Sequence, residues 1–466
     1  MEIIIRILQF IIGLLSDFVY ACIEAFSSQK GANAQFGRIS RIASRFNKGF
    51  VISSTKKLSR LMSYRNLLIS SPTGGGKTTK LLLPALLSLD NCSIICNDNS
   101  GELAMLSSGY KGKNMNVKVF DPSNSEQSCG YNILSRVKDQ HDAMRIAHLI
   151  VATTLDKGQS DPFWSLSVKT MLQIFIRLVL HQEEQFRNMA NVLHLVHVFS
   201  AHPAKIDKLI AATKDEQLAL SYSSFIATPE RTLMNVVASC KAALQLFESP
   251  QVAKVTSYDS IDFSHFRKQK TLLYLRIRLG DAKLLSCLVS IFFEQLYTYM
   301  LDKLPQKDDL DCFCLIDEAS SLFIPVLANA CSNGRKFHCG TILVVQAKKQ
   351  LQTFYRDEAE TICANCATHI HLGGQTSLDE LRELEALSGK CTYVDKNGKE
   401  KSKSLVTVDE IRQLPDNRSL ILCSNFPLIM GRVTPYWRNL NYKRYTKIPP
   451  LPLKGDIPEG PIPLIL

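Results

Sequence analysis

Between Ser27 and Leu68 there is no aspartate or glutamate, while nine cations stand there: Lys30, Arg38, Arg41, Arg45, Lys48, Lys56, Lys57, Arg60 and Arg65. With no acid to offset them, they form one unbroken basic run. Cys363-Ala-Asn-Cys366 has no second CxxC at zinc-ligand spacing, which excludes a paired-thiol zinc module. The other cysteines of the 14 lie mostly in apolar runs such as NCSIIC and DCFCLI, where Cys acts as a small hydrophobe in a reducing compartment. His194 and His197 sit in the apolar stretch VLHLVHVF and are read as helix residues, not metal ligands. No internal repeat is present. A hydrophobic content of 45% with 21% charged residues excludes a disordered or collagen-like chain.

What is present begins with size: 466 residues leave room for about three domain-sized units. A formal net charge of +12 points to polyanionic partners, nucleic acid or acidic lipid. Ile3 to Phe26 is a long apolar segment, longer than a secretory signal core and without its cleavage signature. Its polar and small residues (Arg6, Gln9, Gly13, Ser16, Asp17, Tyr20, Glu24) recur every three or four positions, which draws one polar stripe along a helix. Three readings stand: a helix in the membrane interface, a spanning helix with its stripe toward neighbouring helices, or a soluble helix packed on the domain. The basic run behind it favours a membrane, with anionic headgroups as its contact and the side that carries the run as the cytoplasmic one.

The central motif is a phosphate-binding loop. Asn66 to Ser71 reads as a buried strand, Pro72-Thr73-Gly74-Gly75-Gly76-Lys77-Thr78-Thr79 follows, and an apolar helix begins at Lys80. Three glycines let the backbone curl so that its N–H groups face phosphate, and the helix N-terminus adds partial positive charge. Lys77 is placed to reach the β- and γ-phosphates of ATP and Thr78 to ligate Mg²⁺. Ser71 replaces the usual first glycine without altering these mechanics.

Such a loop needs an acidic strand end beside it. Asp311 to Glu318 is an apolar strand closed by two carboxylates, Asp317 toward the metal and Glu318 as general base. The next strand, Gly340 to Gln346, ends in an amide suited to sense the γ-phosphate. Gly334-Arg335-Lys336 precedes it. Arg335 reads either as a solvated surface cation or as an arginine finger for a neighbouring subunit's nucleotide.

About 240 residues separate Lys77 from Asp317, more than a minimal nucleotide core requires. The excess is helical in pattern from Asp142 to about Thr256, and strand patterns resume at Lys270 to Ile277 and continue at Thr368 to Gly373 and Arg418 to Cys423. The expected fold is α/β, a RecA-like P-loop ATPase with a mostly parallel sheet, an inserted all-α domain and an N-terminal membrane-associated helix. Its parts are the apolar segment 1–26, the basic segment 27–64, the nucleotide-binding halves 65–141 and 257–445, the helical domain 142–256, and a Pro-rich tail 446–466. Lys390 to Lys403 reads as an exposed hairpin around a D-K-N-G turn, either plainly solvated or facing DNA in a pore. Six prolines in the last 18 residues exclude helix there.

With those residues placed, the chain resembles the type IV secretion coupling proteins, the TraG-type conjugation ATPases of the FtsK/HerA superfamily, from about Gly31 to Trp437. The resemblance rests on SSPTGGGKTT, Asp98-Asn-Ser-Gly101-Glu102, Val119-Phe-Asp121-Pro122, Asp161-Pro-Phe-Trp164, Leu315-Ile-Asp317-Glu318-Ala319, Gly334-Arg335-Lys336 and Val345-Gln346, in order and spacing. Asn99 and Ser100 stand where that family usually has Pro and Lys. The resemblance implies a homohexameric ring at the bacterial inner membrane, with the family's arginine finger falling on Arg335 and its sensing glutamine on Gln346. It further implies recruitment of relaxase or relaxosome proteins, and ATP-driven delivery of single-stranded DNA to the secretion channel. Delivery of protein effectors, or a membrane-anchored nucleotide-binding adaptor without significant turnover, are the alternatives.

Overall fold

A computed structural model describes residues 33–155, 162–278, 280–394, 397–457 and 460–465. The apolar segment 1–26 and Asp161 lie outside them. Three strands come first: β1 (Ala43–Ser44), β2 (Val51–Ser53) and β3 (Lys56–Leu58), which form a small antiparallel sheet. The basic run therefore contains folded structure, because Phe50, Val51, Ile52 and Leu58 are buried while the lysines between them stay at the surface or half-buried.

The main sheet has nine strands: β4 (Leu67–Ser70), β5 (Cys92–Asn97), β6 (Asn116–Phe120), β7 (Thr271–Leu275), β8 (Asp311–Ile316), β9 (Cys339–Val345), β10 (Thr368–Leu372), β13 (Arg418–Cys423) and β14 (Ile429–Arg432). Between β10 and β13 the chain makes a separate hairpin, β11 (Lys390–Val394) with β12 (Glu400–Ser404). The main sheet runs in the order β14-β13-β10-β4-β9-β8-β5-β7-β6. All neighbours from β10 to β6 are parallel, and β13 and β14 are added antiparallel at one edge.

The central strands are continuous apolar runs because both faces are covered. Leu68, Ile95, Leu273, Cys312 and Leu343 point into one core, and the alternate residues Ile69, Cys96, Leu272, Phe313 and Ile342 into the other. Helices α1 (Leu83–Ser88) and α2 (Glu102–Lys111) cover the second face.

The first face receives the helical insert: α3 (Gln140–Thr154), α4 (Pro162–Leu180), α5 (Met189–Ala201), α6 (Pro203–Thr213), α7 (Glu216–Ile226) and α8 (Glu230–Leu244). Asp139, Asn188 and Asp215 cap α3, α5 and α7 by accepting a first-turn N–H. The apolar cluster is continuous from β9 through α9 (Ala282–Met300) to α8, so the insert shares a core with the sheet. Phe163–Leu180 is the one described helix long and apolar enough to cross a membrane. Val168, Met171, Leu172, Phe175 and Val179 on it are buried in that same core.

The Pro-rich tail is extended as expected, and it is docked. Leu451 N–H donates to Ser108 on α2, and Gly455 N–H donates to the Glu126 carbonyl. The Asp456 carboxylate accepts from Ser260 (2.8 Å), and further on Leu464 is buried against the insert. There Asn191 of α5 donates to the Ile462 carbonyl and accepts from Leu464 N–H, both at 2.9 Å. His194 lies 3.1 Å from the Leu464 carbonyl, a contact with the tail. His197 is half-exposed and 3.9 Å from Glu248.

Candidate nucleotide-binding site

The site is built at the carboxyl edge of the parallel strands, where loops from adjacent strands converge. β4 ends at Ser70, and the backbone turns through Ser71 and Pro72 into the glycines. Gly74 and Gly76 adopt φ of +79° and +84°, in the left-handed region that only glycine enters freely. A Cβ on Gly75 would lie 2.2 Å from Ser71 Oγ, so a larger residue there requires the Ser71 side chain to move. The chain re-enters helix at Thr78 with Lys77 as its cap, and its first turn is of the wide π type. Lys80 Nζ donates to the Gly75 and Asp416 carbonyls, both at 2.8 Å, and holds the loop from behind.

β8 brings Asp317 and Glu318 to the same edge, and β9, between β4 and β8, brings Gln346 between them. Gln346 Nε2 lies 3.4 Å from Glu318 Oε1. Glu318 has φ +52°, a left-handed turn that ends the strand, and its N–H donates to Asp317 Oδ1 at 3.1 Å. Burial, with Lys77 opposing and Glu318 adding to it, raises the Asp317 carboxyl to about 6. On β5, Asn97 Nδ2 donates to the Asp317 carbonyl at 3.0 Å, while Asn97 Oδ1 is buried and unpartnered. Asp98 is buried too, its pKa raised by that burial, and it accepts the Ala104 N–H at 2.8 Å.

This arrangement fits a nucleotide with a divalent cation. The glycine loop leads into the helix at Thr78, which suits phosphate, and the Asp317 carboxyl, near Lys77, together with the unpartnered Asn97 Oδ1 suits a cation. A divalent cation held there would take its hard oxygen donors from Thr78 and Asp317.

The P-loop residues, Asp317, Glu318 and Gln346 are thus brought together. Arg335 is not. It lies in the turn Gly334–Phe337 before β9, so the length of that strand, about 20 Å, separates it from Gln346. There it lines a cavity of about 870 Å³ with Tyr64, Arg65, Lys348, Asn365 and His369.

Sequence reasoning missed three supports of the site. Lys80 reads as an ordinary helix cation. Arg276, after β7, lies 3.7 Å from the buried Asp121 and packs over Gly101, and its signal is a cation just past a strand end. Glu380 of α10 (Leu378–Ser388) is 4% exposed and accepts from Ser70 Oγ (2.9 Å) and from Lys348 N–H. A single charged letter in LDELREL gives no sign of that burial.

Comparison with known proteins follows this geometry. The family described as Type IV secretory system Conjugative DNA transfer matches residues 33–450. Protein VirD4 of Rhizobium radiobacter is 23% identical over 430 residues, which cover 86% of this chain and 60% of that relative. This chain therefore spans about three-fifths of the curated relative's length. The plasmid coupling protein TrwB in complex with the GTP analogue GDPNP superposes with a TM-score of 0.68 at 19% identity, covering 87% of this chain and 96% of that one. TrwB with ADP and Mg²⁺ gives 0.65 at 20% identity, covering 87% and 95%. VirB4 of Thermoanaerobacter pseudethanolicus gives 0.51 at 10% identity, covering 87% and 98%. These structures share the α/β fold with its helical insert.

Proposed function

The chain belongs to the type IV secretory system conjugative DNA transfer family, and we propose that it is that system's coupling ATPase, hydrolysing ATP to drive single-stranded DNA or relaxase-bound DNA toward the secretion channel. The observation that carries this reading is the convergence of Lys77, Asp317, Glu318 and Gln346 at one strand edge, with Asp317 half-buried and its carboxyl raised. The TrwB complexes with ADP and Mg²⁺ and with ADPNP support ATP and Mg²⁺ as the ligands.

Each residue then has a role. The N–H groups of Thr73 to Thr79 hold the phosphate chain, and Lys77 reaches the β- and γ-phosphates. Thr78 and Asp317 would hold Mg²⁺, which when bound would supply positive charge to the phosphates. Glu318 accepts the proton of the attacking water, and Gln346 keeps its carboxylate aimed through the 3.4 Å contact. Arg335, about 20 Å away along β9, serves the nucleotide of a neighbouring subunit, so the working unit is a homo-oligomeric ring.

The basic residues 27–64 and the apolar segment 1–26 attach this motor to anionic lipid on the cytoplasmic side of the inner membrane, and the insert recruits cargo. Residues 65–141 and 257–445 form the motor.

Steady-state ATP hydrolysis by the full chain, with and without single-stranded DNA, tests this. DNA-stimulated turnover that rises steeply with protein concentration is expected, falling below detection in Lys77→Ala and by about a thousandfold or more in Arg335→Ala. Nucleotide binding without turnover under any condition would leave the adaptor reading in its place.

A further inference from the structure

The acid-free stretch at the start of the chain has a counterpart near its end: from Asn417 to Gly455 there is again no aspartate or glutamate, while Arg438, Lys443, Arg444 and Lys447 stand there. The fold brings the two stretches together. The second one holds α11 (Leu440–Tyr445), which Asn439 caps by accepting the Asn441 and Tyr442 N–H groups, and Tyr442 packs it into the core on the sheet's second face. Between α11, α1, α2 and the β1–β3 sheet lies a cavity of about 510 Å³, on the face opposite the helical insert. Its volume is that of a small-ligand pocket.

Arg45, Lys57 and Lys111 line this cavity against a single carboxylate, Asp90. None of the three cations makes an ion pair among the described residues. Lys111 is 5% exposed, and its ammonium, which has three donors, gives one to the Leu89 carbonyl. Burial pushes its pKa down to about 8 and pushes that of Lys57 down as well, with Arg60 adding to the shift at Lys57 and Asp90 opposing it at both. A bound anion would relieve both groups. The rim, by contrast, is apolar: Phe46 is 77% exposed, with the Arg45 guanidinium 4.7 Å over its ring, and Leu440, between the lining residues Asn439 and Asn441, is 84% exposed. In water, side chains of this size forgo their burial energy, and a bilayer surface would supply it.

We propose that this cavity seats the headgroup phosphate of an anionic phospholipid, with Arg45, Lys57 and Lys111 as its cations and Phe46 and Leu440 entering the acyl boundary. The inference rests on the membrane reading of residues 27–64 and gives it a site, part of which lies outside those residues. Charge complementarity selects an anionic head, since three cations face one carboxylate. A buried lysine in a cavity wall suits a compact group better than a continuous strand of phosphates, and the two apolar side chains at the rim suit a lipid better than a soluble phosphate. Because the cavity faces away from the insert, a lipid held there leaves the insert free for cargo.

The test uses the full chain in a neutral detergent, titrated with short-chain phosphatidylglycerol, with phosphatidylcholine of the same chain length and glycerol 3-phosphate as controls. Phosphatidylglycerol should bind in preference to phosphatidylcholine. Arg45→Ser with Lys57→Ser should weaken it roughly tenfold or more, and Asn441→Asp, which adds a carboxylate at the rim, about fivefold. Phe46→Ser should weaken the lipid about threefold or more and leave glycerol 3-phosphate unchanged. Melting temperatures of Phe46→Ser and Asn441→Asp should match the parent, since both side chains are exposed. If the lipid binds and none of these variants weakens it, the cavity is not the site and the membrane reading survives. If phosphatidylglycerol binds no better than phosphatidylcholine, both fall. If glycerol 3-phosphate binds as tightly as the lipid, the occupant is a soluble phosphate and the proposal is overturned. It is overturned equally if the substitutions weaken binding of an oligothymidylate and leave the lipid unaffected, since the face then contacts DNA.

Discussion

Asp317 is held in a place that suits its task and not its charge. Burial raises its carboxyl to about 6 from an ordinary 3.8, so the folded chain binds a proton there that the unfolded chain has released. The stabilising contribution is present below pH 3.8 and is lost as pH rises through 6. Asp317→Asn should therefore raise the melting temperature of the nucleotide-free chain at pH 7 to 8, by roughly 2–3 kcal/mol of stability, and leave it unchanged near pH 3.5. The same variant should lose nucleotide turnover. Equal stabilities of parent and variant at both pH values would show that burial is not what shifts the group. Residues of this kind are legible in sequence because their chemistry demands fixed neighbours: Lys77 after three glycines, Asp317 and Glu318 after an apolar run. Arg276 and Glu380 are not, because what defines them is a buried carboxylate or hydroxyl far away in the chain.

Among the elements, α10 is the one whose removal from register should be felt at a distance. Glu380→Ala should lower turnover at saturating nucleotide about tenfold while nucleotide affinity stays within about threefold, because the P-loop and the sensor loop lose their shared acceptor. Glu380→Gln, which keeps one acceptor oxygen, should recover part of the rate. A loss of thermal stability with no change in turnover would reduce Glu380 to a packing residue. The tail makes a second case. A Cβ on Gly109 of α2 would lie 1.9 Å from the Pro449 carbonyl oxygen, so Gly109→Val should displace the tail at a cost of about 1–3 kcal/mol and speed tryptic cleavage after Lys454. The parallel strands and the hairpin were readable from continuous apolar runs and from the D-K-N-G turn. The small β1–β3 sheet was hidden by its lysines. The docking of the tail depends on Ser108, Gly109 and Asn191, which no local pattern connects to it.

For the molecule as a whole, the separation of Arg335 from the P-loop is what carries the proposal that each active site is the joint property of two subunits. Mixing Lys77→Ala and Arg335→Ala chains one to one should restore turnover that neither has alone, because about a quarter of the sites then pair an intact loop with an intact arginine. No recovery in rings shown to be mixed would place Arg335 outside catalysis. The net charge of +12 should make DNA-stimulated turnover fall with salt more steeply than basal turnover does. One consequence belongs to the last residues of the chain. Chain ends ordinarily exchange their amide hydrogens with solvent in an instant. The Leu464 N–H is instead bonded to Asn191 in the helical insert, against a core continuous with the sheet. Its deuterium uptake would be slow, set by the opening of that core, and a single peptide holding Leu464 would report in mass spectrometry whether sheet and insert are still joined.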